Sequence, residues 1–385
     1  MSRSAAIVGA TLISPYGIGL GPCWQGLLAG RSAIGRHPQF CSRHWQSDCS
    51  ALVPDGCLAG HQRSRLTAML GRLFALRPSP LPAEAALLLA TTVGEVDRLE
   101  ADVTASGGDL RAGNPLRLLS WLREQTGIRG PGALVSAACA SSAVALARGQ
   151  TMIEEGKSET VLVVGCDGVS EFIFAGFSAL MALSPQPARP YDQGRDGLTL
   201  GEAAVAVVLM DEERARREQH SILATVAGCG IASDANHMTG PCRRGDGLAK
   251  AMVRALQEAE VDPADIAFVC GHGTGTVYND AMELQAFKQV FGSLPPLFSV
   301  KGGTGHTLGA AGLLEAVVTA RALRQQTVPV SVGTVQPMAE AEGKVCLRPL
   351  GLTDARFALS TNSGFGGVNS ALVISLPDRP HGVQP

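Results

Sequence analysis

Four turns rich in small residues interrupt this chain, each next to an apolar run of strand length. They are Ser136–Ser142, Gly271–Thr276, Ser299–Gly312 and Thr361–Asn369. The first lies between an apolar stretch, Ala133–Ser136, and the helix formers Ala140–Glu155. The second follows the strand-like Ile266–Cys270 and precedes a helical Asp280–Phe291. The third enters a long helix over Leu308–Gln325, and the fourth separates strands at Phe357–Ser360 and Ala371–Leu376. Fully apolar runs that stop at small residues and restart as helix read as buried strands feeding helices, which predicts an α/β fold.

The rest of the chain keeps this rhythm. Ala5–Val8, Ala85–Thr92, Val161–Val164 and Ala203–Met210 read as buried strands. The stretch from Gly21 to Gly30 reads as a short helix. Arg63–Leu76 reads as a longer one, closed by Pro78, Pro80 and Pro82. The charged stretch Asp211–Glu218 is the natural joint, which divides the chain into residues 1–215 and 216–385. Each part holds a strand, a small-residue turn into a helix, then two further strands. The two share this order of elements but no letter-level repeat.

The turns also concentrate the reactive side chains. Cys139 sits at a strand-to-helix junction, where free N–H groups and the helix dipole favour a thiolate, the nucleophile of acyl transfer. A cysteine among small residues can equally be plain packing. His272 stands between Gly271 and Gly273 with Thr274 and Thr276 beyond it, either reaching into a site or simply closing a turn. Lys301 and His306 share the third turn. A nucleotide loop is the obvious rival there, but Lys301 precedes the glycines, and neither phosphate-loop nor dinucleotide spacing occurs. Phe365 stands alone among glycines, where close backbone approach lets an N–H face a reacting oxygen, unless the segment is a simple hairpin. One cysteine and two histidines on separate glycine-lined turns fit acyl transfer better than metal binding or hydride transfer.

Composition narrows the classes. A net charge of −2 without runs of like charge argues against nucleic acid as a partner. Cys41, Cys49 and Cys57, with His37, His44 and His61 nearby, contain no Cys-x-x-Cys pair, so no metal site is expected. The N-terminus lacks the features of a signal peptide, and no apolar run approaches the roughly 20 residues of a membrane span. A soluble, cytoplasmic protein is the expectation.

At these same residues the sequence resembles the elongating β-ketoacyl-acyl-carrier-protein synthases of the Cys-His-His type. The resemblance runs from Ile7-Val8-Gly9 and Ser14-Pro15-Tyr16-Gly17, through Arg195–Ala204, to Gly364-Phe365-Gly366-Gly367-Val368-Asn369. It implies a thiolase-like fold of two similar α/β halves stacked as a five-layer αβαβα unit. It also implies that Cys139 carries the acyl chain, with its own N–H and that of Phe365 as the oxyanion hole. His272 and His306 would promote decarboxylation of a malonyl thioester. Lys301 would organise the site beside Glu315, Thr274 and Thr276 would hold a phosphopantetheine arm, and Asp280 and Glu283 would be structural supports. Phe365 would also be the gate. No intrinsic cofactor is expected, because the substrates arrive on the arm of an acyl carrier protein. The implied assembly is a dimer, with itself or with a ketosynthase-like chain-length factor.

Departures sharpen the expectation. The family usually has Asn-Ser-Phe-Gly-Phe-Gly-Gly, and Ser363 replaces the first phenylalanine. Ala203 replaces a usual glycine, and the stretch from Gly94 to Cys139 is shorter than in fatty-acid enzymes. The wording around Leu198–Ala204 looks more like aryl-polyene and polyketide ketosynthases than fatty-acid elongation. A thiolase needs a second cysteine in the last turn, and a non-catalytic chain-length subunit usually lacks the nucleophile. Arg63, Arg65 and Arg72 form either a landing face for an acidic carrier protein or a solvated surface.

Overall fold

The computed structural model describes residues 3–37, 39, 45–58, 60, 64–76, 81–104, 111 and 113–377. Arg63, Cys41, His44, His61, Pro78 and Pro80 lie outside them, as does most of the Ala105–Asn114 loop. Ten strands carry the architecture. They are β1 (Ala5–Ser14), β2 (Ala86–Ala90), β3 (Gly132–Val135), β4 (Thr160–Asp167) and β5 (Ala203–Asp211), then β6 (Ala224–Ser233), β7 (Ile266–Cys270), β8 (Leu297–Phe298), β9 (Phe357–Gly364) and β10 (Val368–Ser375). The short Gly17–Ile18 strand adds to β1.

Hydrogen bonding joins the ten in the order β8-β7-β9-β10-β6-β1-β5-β4-β2-β3. Read outward from the central β6–β1 pair, the two sides are the same. The first strand pairs antiparallel with the fifth, the fifth antiparallel with the fourth, the fourth parallel with the second and the second parallel with the third. The antiparallel β1–β6 pairing, Ala5 to Val226 and Ile7 to Ala224, is the axis of this pseudo-twofold arrangement. Helix Glu212–Arg217, capped by Asp211, joins the sides. Strand β4 is buried along its whole length, which accounts for the run Val161–Val164 that shows no alternation.

Five helices complete the layers: α1 (Arg65–Ala75), α2 (Ser141–Glu154), α3 (Asp246–Ala259), α4 (Val277–Phe291) and α5 (Ala311–Arg324). Helices α2 and α5 pack on each other and on strands from both sides, forming a central layer. α1 covers the outer face of the first side, and α3 that of the second. This is the five-layer α/β arrangement that the resemblance implies. Every residue of α5 from Ala311 to Ala320 is buried, as a helix between two sheets requires.

Several boundaries differ from the sequence-based expectation. Helix α1 starts at Arg65 because Ser64 caps it, with Thr67 completing a capping box. α4 begins three residues before Asp280. β9 and β10 extend to Gly364 and Val368, so the Phe365 turn is a tight hairpin whose Gly366 and Gly367 sit at φ 83° and 78°. Among the described residues no helix is long and apolar enough to cross a membrane.

Candidate active site

β3 delivers Cys139 one residue before the N-cap of α2. The chain turns there on Ala138, which adopts φ 48°. β7 delivers His272, and the segment after β8 delivers Lys301 and His306. One thiol and two imidazole nitrogens thereby converge within 4.8 Å of one another, all three residues buried. The imidazoles meet edge to face, with ring centroids 5.1 Å apart.

Their outer nitrogens determine the chemistry. The Nδ1 of His272 faces the Lys301 ammonium at 3.1 Å and the Asn362 amide nitrogen at 3.3 Å, both donors. The Nδ1 of His306 accepts from the backbone N–H of Leu308 at 3.3 Å. Each Nδ1 is therefore an acceptor, and each neutral ring carries its proton on Nε2. Burial, then the nearby Lys301 charge, holds both rings well below the ordinary histidine pKa, so they are neutral donors.

Lys301 is itself fully buried. Its ammonium donates to Glu315 and, at 2.5 Å, to the carbonyl of His272, while Asn362 donates to the other Glu315 oxygen at 2.6 Å. This donor set does not suit a metal. A metal-bound imidazole normally gives its second N–H to an acceptor, whereas here both second nitrogens receive hydrogen bonds and a cation already stands beside one ring.

Two buried carboxylates hold the His272 turn. Glu283 accepts from the N–H of His272 at 2.7 Å and of Gly273 at 2.6 Å, and from the Tyr191 hydroxyl at 3.0 Å. Asp280 accepts from the N–H of Tyr191, Thr274 and Gly275. Burial and the neighbouring Asp280 push Glu283 up to about 7. Thr274 and Thr276, bonded to each other at 2.9 Å, line the same cleft of about 350 Å3 as Cys139, Phe365 and Ser363. Phe365 stacks on Phe177 at 5.7 Å.

The thiol departs from the sequence-based expectation of a thiolate. Burial pushes Cys139 up to about 12, opposed by Lys301 and by the N–H groups of Phe365 and Cys139 that reach its sulfur. The helix terminus is present, but desolvation outweighs it.

Comparison with known proteins assigns the scaffold. Two family models match, the N-terminal domain of beta-ketoacyl synthase over residues 121–215 and its C-terminal domain over 223–334. A Streptomyces halstedii protein, "Putative polyketide beta-ketoacyl synthase 1", is 32% identical over 98% of this chain and 99% of its own. The chain belongs to the β-ketoacyl synthase family. The 3-oxoacyl-[acyl-carrier-protein] synthase 2 of Vibrio harveyi is 30% identical over 96% of this chain and 98% of its own. The solved ishigamide ketosynthase/chain length factor superposes with a TM-score of 0.86 at 28% identity, covering 98% of this chain and 100% of that one.

Within this β-ketoacyl synthase, the Arg195–Ala204 segment braces His306 from behind. The N–H of His306 donates to Thr199 at 2.6 Å, and the N–H of Gly201 to the His306 carbonyl at 2.9 Å. A Cβ on Gly201 would stand 2.1 Å from the Thr304 carbonyl, so only glycine fits. Asp167, which the sequence reading passed over, accepts from Thr91, Thr92 and the Gly309 N–H at 2.7 Å and so ties the His306 turn to the first sheet. Asn362 was passed over too. Both sit within apolar or small-residue runs, where nothing marks a buried polar side chain.

Arg65 is a correction. Its guanidinium turns inward onto the buried Glu202 at 2.8 Å and onto Asp55 at 2.7 Å. Glu202 in turn accepts from the N–H of Val53 and Val169. A side chain so engaged braces the Glu202 segment and is not a landing charge for a carrier. Arg72 is exposed, and Arg63 lies outside the described residues.

Proposed function

We propose that this chain is the catalytic ketosynthase of its pathway. It takes an acyl group from a carrier-protein thioester onto Cys139 and condenses it with a malonyl unit on the same type of carrier. The observation that carries this reading is the convergence of Cys139 with two neutral Nε2–H donors, under the N–H groups of Cys139 and Phe365.

In the first half-reaction the thiol sulfur attacks the acyl carbon. The oxyanion accepts from the Cys139 and Phe365 N–H groups, the bond to the pantetheine sulfur breaks, and the thiol proton passes to that departing sulfur. Neither imidazole can take it on Nε2, which already carries a proton. In the second, the malonyl thioester loses carbon dioxide and the freed electron pair forms an enolate. Its oxygen accepts from His272 and His306 in a water-poor site, where one such donor is worth roughly 10²–10³ in rate. The α-carbon attacks the acyl-Cys139 carbon, the C–S bond breaks, and a proton from solvent restores the thiol. The protein needs no cofactor of its own in this scheme.

The Leu198–Ala204 segment and the short stretch before Cys139 favour aryl-polyene or polyketide assembly over fatty-acid elongation. We place the reaction in the cytoplasm; the nine described cysteines are all free thiols, as a reducing compartment requires. β3 is a sheet edge with Gly132 and Ala133 exposed, which suits pairing with a second copy or a chain-length-factor partner. A non-catalytic chain-length subunit would not need this cluster, and the last turn lacks a thiolase's second cysteine.

Mass spectrometry after incubation with acyl-carrier thioesters tests the reading. An acyl adduct should appear on Cys139 and vanish in Cys139→Ala. Undiminished β-ketoacyl product from the variant would overturn it.

A further inference from the structure

The mouth of the cleft is apolar where a closed enzyme surface would be polar. Met181 is 75% exposed, Tyr278 63%, and Leu180 and Val277 50% each, and all four line the catalytic cleft. Exposed apolar groups gathered at one opening mark a contact surface. Beside it lies a second hollow that shares His237, Gly240, Pro241 and Tyr278 with the cleft, so the two are continuous. Its floor adds Arg243 and Arg244.

The two arginines differ. Arg244 is paired with Asp246 at 2.6 Å. Arg243 is exposed, lies over the Tyr278 ring at 5.7 Å, and has no carboxylate partner among the described residues. Stacking holds a guanidinium flat while leaving its N–H fork open. Across Val277, the Arg195 guanidinium donates to the carbonyls of Asp192 and Val277 and its charge is felt by the buried Asp280 carboxylate, which leaves Arg243 as the open cation of this rim among the described residues.

We propose that Arg243, held on Tyr278, is the docking point for the phosphodiester at the protein end of the carrier's pantetheine arm, with the apolar rim taking the carrier surface beside it. The arm is thioester at one end and phosphate at the other; the cleft holds the thiol, and the adjoining hollow holds an open arginine fork. Arginine matches phosphate bidentately. This moves carrier recognition from Arg65, whose charge is spent on Glu202, to the cleft mouth. It rests on the carrier-linked reading above.

The test compares three thioesters in wild type, Arg243→Ala and Tyr278→Ala: malonyl on an acyl carrier protein, malonyl-phosphopantetheine and the phosphate-free malonyl N-acetylcysteamine. In Arg243→Ala, KM for the two phosphate-bearing substrates should rise roughly tenfold or more at low salt, with kcat little changed. KM for the phosphate-free thioester should stay the same, and added salt should shrink the difference. Tyr278→Ala should shift the same two KM values less. Unchanged KM for the phosphate-bearing pair, an equal rise for all three, or a change in oligomeric state with KM unaltered would each overturn the proposal. Turnover of the phosphate-free thioester by wild type keeps the condensing activity separate from the docking question.

Discussion

The segments after β3 and after β8 occupy equivalent places in the two five-strand sets, yet they are built for opposite tasks. The first is short. It crosses to α2 on Ala138 at φ 48° and presents one neutral sulfur to backbone N–H groups. The second is long. It coils through Lys301–Thr304, turns on Leu308 at φ 52°, and presents a buried ammonium and an imidazole before α5 begins. One side of the fold thus contributes the sulfur and holds it against main-chain N–H groups. The other contributes the charge, and balances it with Glu315 from its own helix. Pseudo-symmetry places the two turns face to face, and on the proposed reading the difference between them is what turns a structural repeat into a reaction centre.

The largest expected effects separate the two tasks. Cys139→Ala should abolish acyl adduct and product together. His306→Ala should leave adduct formation intact and cut condensation by roughly 10²–10³, because it removes one donor to the enolate and not the nucleophile. Adduct mass and product formation, measured on the same samples, check this. Equal loss of both in His306→Ala would mean that the second turn also serves the first half-reaction.

Next in size is the charge balance of the second turn. Glu315→Leu leaves the Lys301 ammonium, 1% exposed, without its anion, and should cost roughly 3–5 kcal/mol. The double variant Lys301→Met, Glu315→Leu should recover most of that stability in denaturant melts while condensation stays low. A double variant as unstable as the single one would show that the pair matters for packing and not for charge.

These features were unevenly legible in the chain. Cys139, His272, Lys301, His306 and Phe365 stand out because glycine and alanine surround them, and such neighbours are chosen where backbones approach closely. The order of elements in each half could be read for the same reason. The braces could not. Asp167 holds Gly309, 142 residues away, and Asn362 reaches Glu315, 47 residues away. A side chain whose partners are that remote leaves no local pattern. Arg65 misled because an arginine on an amphipathic helix reads as surface unless its carboxylate, 137 residues on, is known to lie beneath it. The thiolate expectation failed on physics. A helix terminus contributes a local field, whereas desolvation depends on everything packed around the sulfur.

A smaller effect concerns protons. Glu283 has a folded-state pKa of about 7 and Asp167 of about 6, both raised mainly by burial above the ordinary carboxylate range. A raised acid pKa means that the native state holds its proton longer than the unfolded chain does. The stability it confers is complete below the ordinary carboxylate pKa and is lost as pH climbs through about 6 for Asp167 and 7 for Glu283. In Glu283→Gln, the gap in melting temperature from wild type should therefore widen in favour of wild type on going from pH 7 to pH 5. A gap independent of pH would place Glu283 among the ionised groups.

The smallest expected effect bears on the strained residue of the first turn. A non-glycine residue in the left-handed region costs roughly 1–2 kcal/mol, and Ala138 is half-buried. Ala138→Gly removes that strain but adds freedom to the unfolded chain worth about 0.4–1 kcal/mol, so the net change should lie between about 0 and 1.6 kcal/mol on the stabilising side. Ala138→Val puts a β-branched side chain in the same conformation and should destabilise by more than the glycine gains. The two together decide whether φ 48° is imposed by the surrounding sheets or merely tolerated. If valine and glycine melt alike, the turn relaxes freely and Cys139 is placed by α2 alone. If they diverge, the backbone at Ala138 aims the sulfur.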